Sequence, residues 1–222
     1  MEGIEVVSLD AGGTLLEPWP SVGAVYSRAV LTAGLAEIPS LELDRGFAAA
    51  WKGRGGFDYS RGAWARLVEQ AFSGLTTAAA DPRLFEAAYS AFARPDAWRV
   101  FPEVRSVLQT LRGRGLRLIV LSNWDERLGP LLDSFGFAGE FEFVLTSTEV
   151  GVPKPDRFFF EAACTRLGVA PSAILHVGDS WREDVAGALG AGWRALWLDR
   201  RGEGGRAGSR ITSLDELLRL QW

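Results

Sequence analysis

The sequence predicts an α/β fold: a doubly wound parallel Rossmann-like sheet with a helical unit inserted after the first strand. Three observations carry this expectation. Short apolar runs at 4–9, 116–121, 141–145, 174–177 and 195–198 are too brief for typical helices but suit buried strands. From 116 to 198 these runs alternate with helix-length segments, the rhythm of parallel strands with helices on both faces. Between about 18 and 96 the rhythm stops, and apolar residues recur at helical spacing instead.

Taken in order, the first run ends at Asp10 and is followed by Ala11-Gly-Gly-Thr14. Pro18 and Pro20 then restrict the backbone where the insertion starts, and Pro95 where it ends. Inside it, Val22, Val25, Tyr26, Ala29 and Val30 share one helical face, as do Trp64, Leu67, Val68, Ala71 and Phe72. The glycine-rich stretch from Lys52 to Gly56 breaks two of its helices. The expected division is therefore a core of 1–17 with 97–222 and a helical insertion of 18–96. The core resumes at Phe101-Pro102-Glu103. Its second strand ends in Ser122-Asn123, Lys154 follows the third in Val-Pro-Lys-Pro-Asp, and the fourth ends in Gly178-Asp179, with Asp184 five residues on. A glycine-rich loop at 200–208 reads as mobile, and a last amphipathic helix begins near Ser213.

The 222 residues suit one core domain with a modest insertion. Their 28 acidic and 24 basic side chains are interspersed, with a net charge of −4, so neither nucleic acid nor an anionic membrane is an expected partner. No apolar segment approaches the roughly 20 residues of a membrane span, and the acidic start is unlike a signal peptide. A single cysteine, Cys164, builds neither disulfide nor thiolate metal site, which points to a reducing, cytoplasmic setting. Lysine occurs only at 52 and 154 in a chain that otherwise uses arginine, so these two positions need separate scrutiny.

Ligands of open α/β sheets bind outside the carboxyl ends of the strands, where Asp10, Ser122, Asn123, Lys154, Asp179 and Asp184 stand. An aspartate there can attack an electrophile if its charge is balanced. Mg²⁺ takes oxygen ligands, which Asp10, Asp179 and Asp184 can supply. Lys154 would gather the negative groups and offset charge on a transferring phosphoryl group. Ser122, Asn123 and the N–H groups of Gly12 and Gly13 can donate to phosphoryl oxygens.

Asp-x-x-Gly-Thr-Leu at 10–15, Ser-Asn at 122–123, Lys-Pro-Asp at 154–156 and the Gly178-Asp179…Asp184 segment resemble, in order and spacing, the four motifs of the haloacid dehalogenase-like superfamily. The insertion resembles that superfamily's cap. The resemblance implies a hydrolase acting on a small phosphorylated molecule, with Asp10 as nucleophile and Lys154 orienting it. It implies that Ser122 and Asn123, with Gly12, Gly13 and Thr14, bind the transferring group. Asp10, Asp179, Asp184 and the Gly12 carbonyl would hold Mg²⁺. A monomer or homodimer is expected, with substrate choice in the insertion around 51–59.

One departure bears on activity. Phosphatases of this superfamily usually carry a second aspartate two residues after the nucleophile, as general acid and base, and here that position is Gly12. Such a loss costs on the order of 10²–10⁴ in rate, which favours good leaving groups or an acid borrowed from Glu17. The 2-haloacid dehalogenases also lack that aspartate, but they lack the metal-binding Gly-Asp pair and have a tyrosine where this chain has Phe160. Phosphonoacetaldehyde hydrolases likewise lack it and use a Schiff-base lysine, at a spacing resembling that of Lys52. A catalytically weak binding or regulatory relative is a further alternative.

Each residue also has a plainer reading. Asp10 alone could cap a turn, and Asp184 could cap the helix that follows it. His176 lies within the fourth strand, where alternation turns it away from Val177 and makes it a packed, hydrogen-bonded histidine. Cys164 reads as a packed thiol and Lys52 as a solvated one of the two lysines. Most tryptophans fit apolar helical faces, whereas Trp124, directly after Ser122-Asn123, could wall a pocket or simply pack.

Overall fold

Val6, Val7, Ser8 and Leu9 have no exposed surface, and as β1 (Val6–Leu9) they occupy the middle of a six-stranded sheet. The computed structural model describes residues 3–202 and 210–222, so most of the expected glycine-rich loop lies outside the described residues. The chain divides into two compact units, one of 1–17 with 100–222 and one of 18–99.

In the first unit, β1 is followed by β2 (Leu16–Pro18), and the chain returns from the second unit through β3 (Trp98–Val100). These two strands form a small sheet of their own. At three residues each they are too short to show alternation in sequence, which is why the expectation contained no strand there. Between them lie the four helices of the second unit: α1 (Val22–Thr32), α2 (Ser40–Lys52), α3 (Arg61–Phe72) and α4 (Pro82–Ala91). Ser21, Ser60 and Asp81 start α1, α3 and α4 by accepting bonds from backbone N–H groups that a helix leaves unpaired. Pro82 adds the fixed backbone suited to a first turn. The apolar faces legible in sequence meet in one core, including Tyr26, Val30, Leu43, Leu67, Phe72 and Leu84.

The first unit continues with α5 (Val104–Gly113), β4 (Arg117–Ser122), α6 (Leu128–Ser134), β5 (Val144–Thr146), α7 (Ser147–Val150), α8 (Arg157–Leu167) and β6 (Ile174–Gly178). A wide turn of π-type helix at Trp181–Ala186 leads into α9 (Gly187–Gly190), then β7 (Arg194–Leu198) and β8 (Arg210–Ile211). The order across the sheet is β5-β4-β1-β6-β7-β8, and every pairing is parallel. Leaving β1, the chain builds outward on one side through β4 and β5, then crosses back to β6 on the other. Ligand sites of open sheets form at this kind of reversal.

Two expectations shift, one for a strand and one for a helix. The third strand runs Val144–Thr146 instead of 141–145, because Phe141 turns to the Phe137 ring while Glu142 ties its carboxylate to Arg117. The C-terminal helix is a single tight segment, Leu214–Arg219, started by a reciprocal cap between Ser213 and Glu216.

Gly187 lets α9 approach the chain after Lys154: a Cβ there would lie 2.8 Å from the Phe160 ring and 3.1 Å from Pro155 Cα. Gly187→Ala is therefore expected to cost about 1–3 kcal/mol through overpacking, read as a lower urea midpoint with an unchanged slope.

Candidate active site

The carboxyl ends of β4, β1 and β6 lie side by side and deliver Ser122, Asp10 and Gly178-Asp179 to one edge of the sheet. Asp10 extends the ladder by one bond, its N–H donating to Val177 O at 2.9 Å. Lys154 arrives from the loop between α7 and α8, and its side chain is 1 % exposed. All three of its donors are used: on Asp10 Oδ1 at 2.8 Å, Asp184 Oδ1 at 2.6 Å and Leu121 O at 2.8 Å. Ser122 Oγ also donates to Asp10 Oδ1, at 2.8 Å. Both contacts fall on the same oxygen. Among the described residues none hydrogen-bonds Oδ2.

Burial opposes the charge on Lys154, but the Asp10 and Asp184 carboxylates outweigh it and hold its pKa above the ordinary lysine range. Burial would likewise raise Asp184; Lys154 and His176 overcome this and hold that carboxyl well below its usual range. Asp10 is raised by burial despite its bond to Lys154. Asp179 is pushed up to about 8 by its crowded surroundings and by the charges of Asp10 and Asp184. Its side chain still meets solvent, which screens part of that push.

Carboxylate oxygens of Asp10, Asp179 and Asp184 all lie within 4.8 Å of one another. Three acids facing one lysine leave surplus negative charge, and hard oxygen donors so arranged fit a hard divalent cation such as Mg²⁺. Glycines make room for the cluster: a Cβ on Gly13, whose φ is +76°, would sit 2.3 Å from Asp179 Oδ2, and one on Gly178 would sit 2.2 Å from Asp184 Cγ. Neither position tolerates a side chain with the carboxylates where they are.

Several residues stand where the sequence put them but do other work. Gly13 N–H, expected to face a phosphoryl group, instead donates to Leu16 O at 2.8 Å and closes the turn after Asp10. Thr14 is wholly buried, with Oγ1 lacking a partner among the described residues. The Asn123 amide clamps the Lys154 backbone, accepting from its N–H at 2.6 Å and donating to its carbonyl at 3.1 Å. It also donates to Glu183 at 3.1 Å. Asp184 does not cap its helix; Ser180 does, and Asp184 is buried within the first turn, its Oδ2 accepting from Ser180 N. The wide turn at Trp181–Ala186 sends consecutive acids inward, Glu183 to Asn123 and Asp184 to Lys154.

Sequence reasoning missed two supports. His176, buried as expected, turns toward the site: Nε2 lies 3.1 Å from Asp184 Oδ1, and Nδ1 lies 2.9 Å from Ser8 Oγ. Burial lowers its pKa, and the neutral ring can donate to Asp184 while accepting from Ser8. Strand alternation had turned it from Val177 correctly; both faces of a parallel sheet are buried, so parity could not say which face held the site. Arg200, assigned to a mobile loop, donates to Gly13 O at 3.1 Å, Thr14 O at 2.7 Å and Glu103 at 2.6 Å, and lies over the Phe101 ring. No local pattern marks such an arginine.

Gly12 has space beside it: a Cβ there would meet Trp124 Cζ3 at 3.4 Å, ordinary contact. Glu17 falls in β2 and is not among the groups bonded to Asp10. Lys52, at the end of α2, is exposed, without the burial that makes a lysine nucleophilic. Phe160 is packed in the core against His176 and Trp193. Cys164 accepts a bond from Trp193 Nε1, and burial pushes its thiol up, as a packed cysteine requires. Among the described residues no helix is long and apolar enough to cross a membrane.

A family model described as haloacid dehalogenase-like hydrolase matches residues 4–192. The bovine haloacid dehalogenase-like hydrolase domain-containing protein 3 is 34 % identical over 204 residues, covering 87 % of this chain and 81 % of its own. Phosphoserine phosphatase of Thermus thermophilus is 40 % identical over 122 residues, 54 % of this chain and 49 % of its own. Among solved structures, a 2-haloacid dehalogenase from Pseudomonas syringae superposes with a TM-score of 0.69 at 26 % identity, covering 97 % of each chain.

Two outcomes follow from the electrostatics. Because the folded pKa of Asp179 lies above its ordinary 3.8, its ionised form costs stability increasingly as pH rises toward about 8. Asp179→Asn should therefore raise the metal-free melting temperature at pH 7 by at least about 3 °C while removing any rise on adding Mg²⁺. His176→Leu leaves buried Asp184 short of one donor and should lower stability by about 1–3 kcal/mol in urea unfolding.

Proposed function

Since this chain belongs to the haloacid dehalogenase-like hydrolases, we propose that it is a Mg²⁺-dependent phosphohydrolase in which Asp10 forms an aspartyl-phosphate intermediate on a small phosphorylated metabolite. The observation that carries this reading is the buried ammonium of Lys154 bonded to both Asp10 and Asp184, with Asp179 completing an acidic cluster. Asp10 Oδ1 is held by Lys154 and Ser122, which aims Oδ2 outward as the attacking atom. Attack on phosphorus forms the Asp10 Oδ2–P bond as the bond to the leaving group breaks, the pair of electrons departing with that group. Water then cleaves the acyl phosphate and restores the carboxylate. Mg²⁺, held by Asp10, Asp179, Asp184 and the Gly12 carbonyl, would neutralise charge on the transferring group. Lys154 adds a fixed positive charge in a site where little water screens it. A small-molecule enzyme working as monomer or homodimer in the cytoplasm accords with the balanced charge and the single packed cysteine.

With glycine at 12, no carboxylic acid stands where this family's leaving-group acid usually does. The leaving group must depart as a stable anion, so aryl, enol and acyl phosphates are favoured over alkyl esters. The same glycine favours a second reading, dehalogenation of a 2-haloacid, because a departing halide needs no proton. The acidic cluster weighs against it, since surplus carboxylate charge serves a cation and hinders an anionic substrate. Halide release from a 2-haloacid in the presence of chelator would establish that reading over ours.

Hydrolysis of para-nitrophenyl phosphate should require Mg²⁺, stop with chelator and fall on the order of 10³-fold or more in Asp10→Asn, with circular dichroism checking that the variant is folded. No turnover by the wild type in any condition would sink the proposal. At Gly12→Asp the added Cβ meets Trp124 only at van der Waals distance, and the variant should raise turnover of an alkyl phosphate such as glycerol phosphate by at least about tenfold relative to the aryl ester.

A further inference from the structure

We propose that Trp124 forms the wall against which the leaving group sits, so that the substrates of this enzyme are phosphate monoesters with a flat, apolar leaving group, aryl phosphates above all. This rests on the phosphohydrolase reading and narrows its substrate class. The first ground is position. Position 12 is where phosphatases of this family usually carry the leaving-group acid, and the atom that a Cβ on Gly12 would meet, at 3.4 Å, is Trp124 Cζ3. Cζ3 belongs to the six-membered ring, away from the indole N–H, so the surface Trp124 offers there is hydrocarbon. An aliphatic alkoxide is unstable beside such a surface. A delocalised aryl oxide is flat, carries its own charge dispersal and can pack on the ring.

The second ground is the platform beneath the indole. Residues 123–127 form no regular structure between β4 and α6, yet they and Ser122 are tied down almost one by one. Ser122 holds Asp10, and Asn123 grips the Lys154 backbone. Trp124 O accepts from Ser147 Oγ at 3.0 Å and Thr148 N at 3.3 Å. Asp125, fully buried, takes the Arg127 guanidinium at 2.7 and 2.8 Å. The backbone is thus fixed on both sides of a side chain that is only partly buried. Fixing a loop in this way sets an indole in place before a ligand arrives.

The test compares para-nitrophenyl phosphate with acetyl phosphate, whose leaving group is equally able to depart as an anion but has no ring. Trp124→Leu should lower kcat/KM for the aryl ester by about tenfold and leave acetyl phosphate within about twofold, while Trp124→Phe, which keeps a flat ring, retains most of the aryl preference. Inhibition of the wild type supplies a measurement that needs no variant: phenylphosphonate should bind about tenfold more tightly than methylphosphonate. Equal inhibition by the two phosphonates, or equal losses on both substrates in Trp124→Leu, overturns the inference while leaving the phosphohydrolase intact. Failure of the wild type to hydrolyse either substrate overturns both.

Discussion

The side chain of Lys154 is 1 % exposed, its ammonium set among two carboxylates and a backbone carbonyl, and the arrangement around it dictates most of what the first unit must hold still. A charge removed from water is tolerable only when every donor is met, and removing one partner of such a pair typically costs about 3–5 kcal/mol. The partners come from three directions: Asp10 at the end of β1, Leu121 O in β4, and Asp184 in the turn after β6. Their convergence therefore couples strand order, the Lys154 loop and the wide helical turn into one requirement. The loop meets it because Asn123 grips both backbone groups of Lys154 and Gly187 lets α9 close on Pro155.

Around this cation the site is built by opposed demands. Three carboxylates crowd one ammonium, so the metal-free cluster stores repulsion that falls chiefly on Asp179, the acid with no bond to Lys154. In the proposed mechanism, function and stability pull apart at that residue, as is usual where charge is gathered for catalysis. The neighbouring groups are fixed by neutral or remote partners instead: His176 and Ser8 hold Asp184 from inside the sheet, and Arg200 holds the carbonyls of the Gly13–Thr14 turn from outside it. Such supports set the direction of each reacting group at no cost in additional charge near Asp10.

Much of this was legible in the chain. Strands that run buried on both faces appear as short apolar bursts, so the positions of β1, β4, β6 and β7 emerged nearly intact, and so did the polar residue that ends each of the first three. The third strand slipped because Phe141 is apolar for a contact with Phe137 and not for the sheet. The helical character of the insertion, expected over 18–96, emerged from its apolar spacing, while the Ser and Asp caps and the three-residue strands beside it were seen only in the structure.

The sequence by itself determined which acids, which lysine and which serine would gather, since ligands collect at strand ends and the ends were marked. It also determined that position 12 carries no acid. Only the tertiary structure decided what each group touches. It turned the Gly13 N–H inward and the Asn123 amide onto the Lys154 backbone, brought His176 to Asp184, and set the Trp124 ring edge beside Gly12. The reason is physical. Local pattern reports which face of an element is buried, whereas a hydrogen bond depends on the distance and direction between atoms far apart in the chain, and those are fixed only when the elements pack.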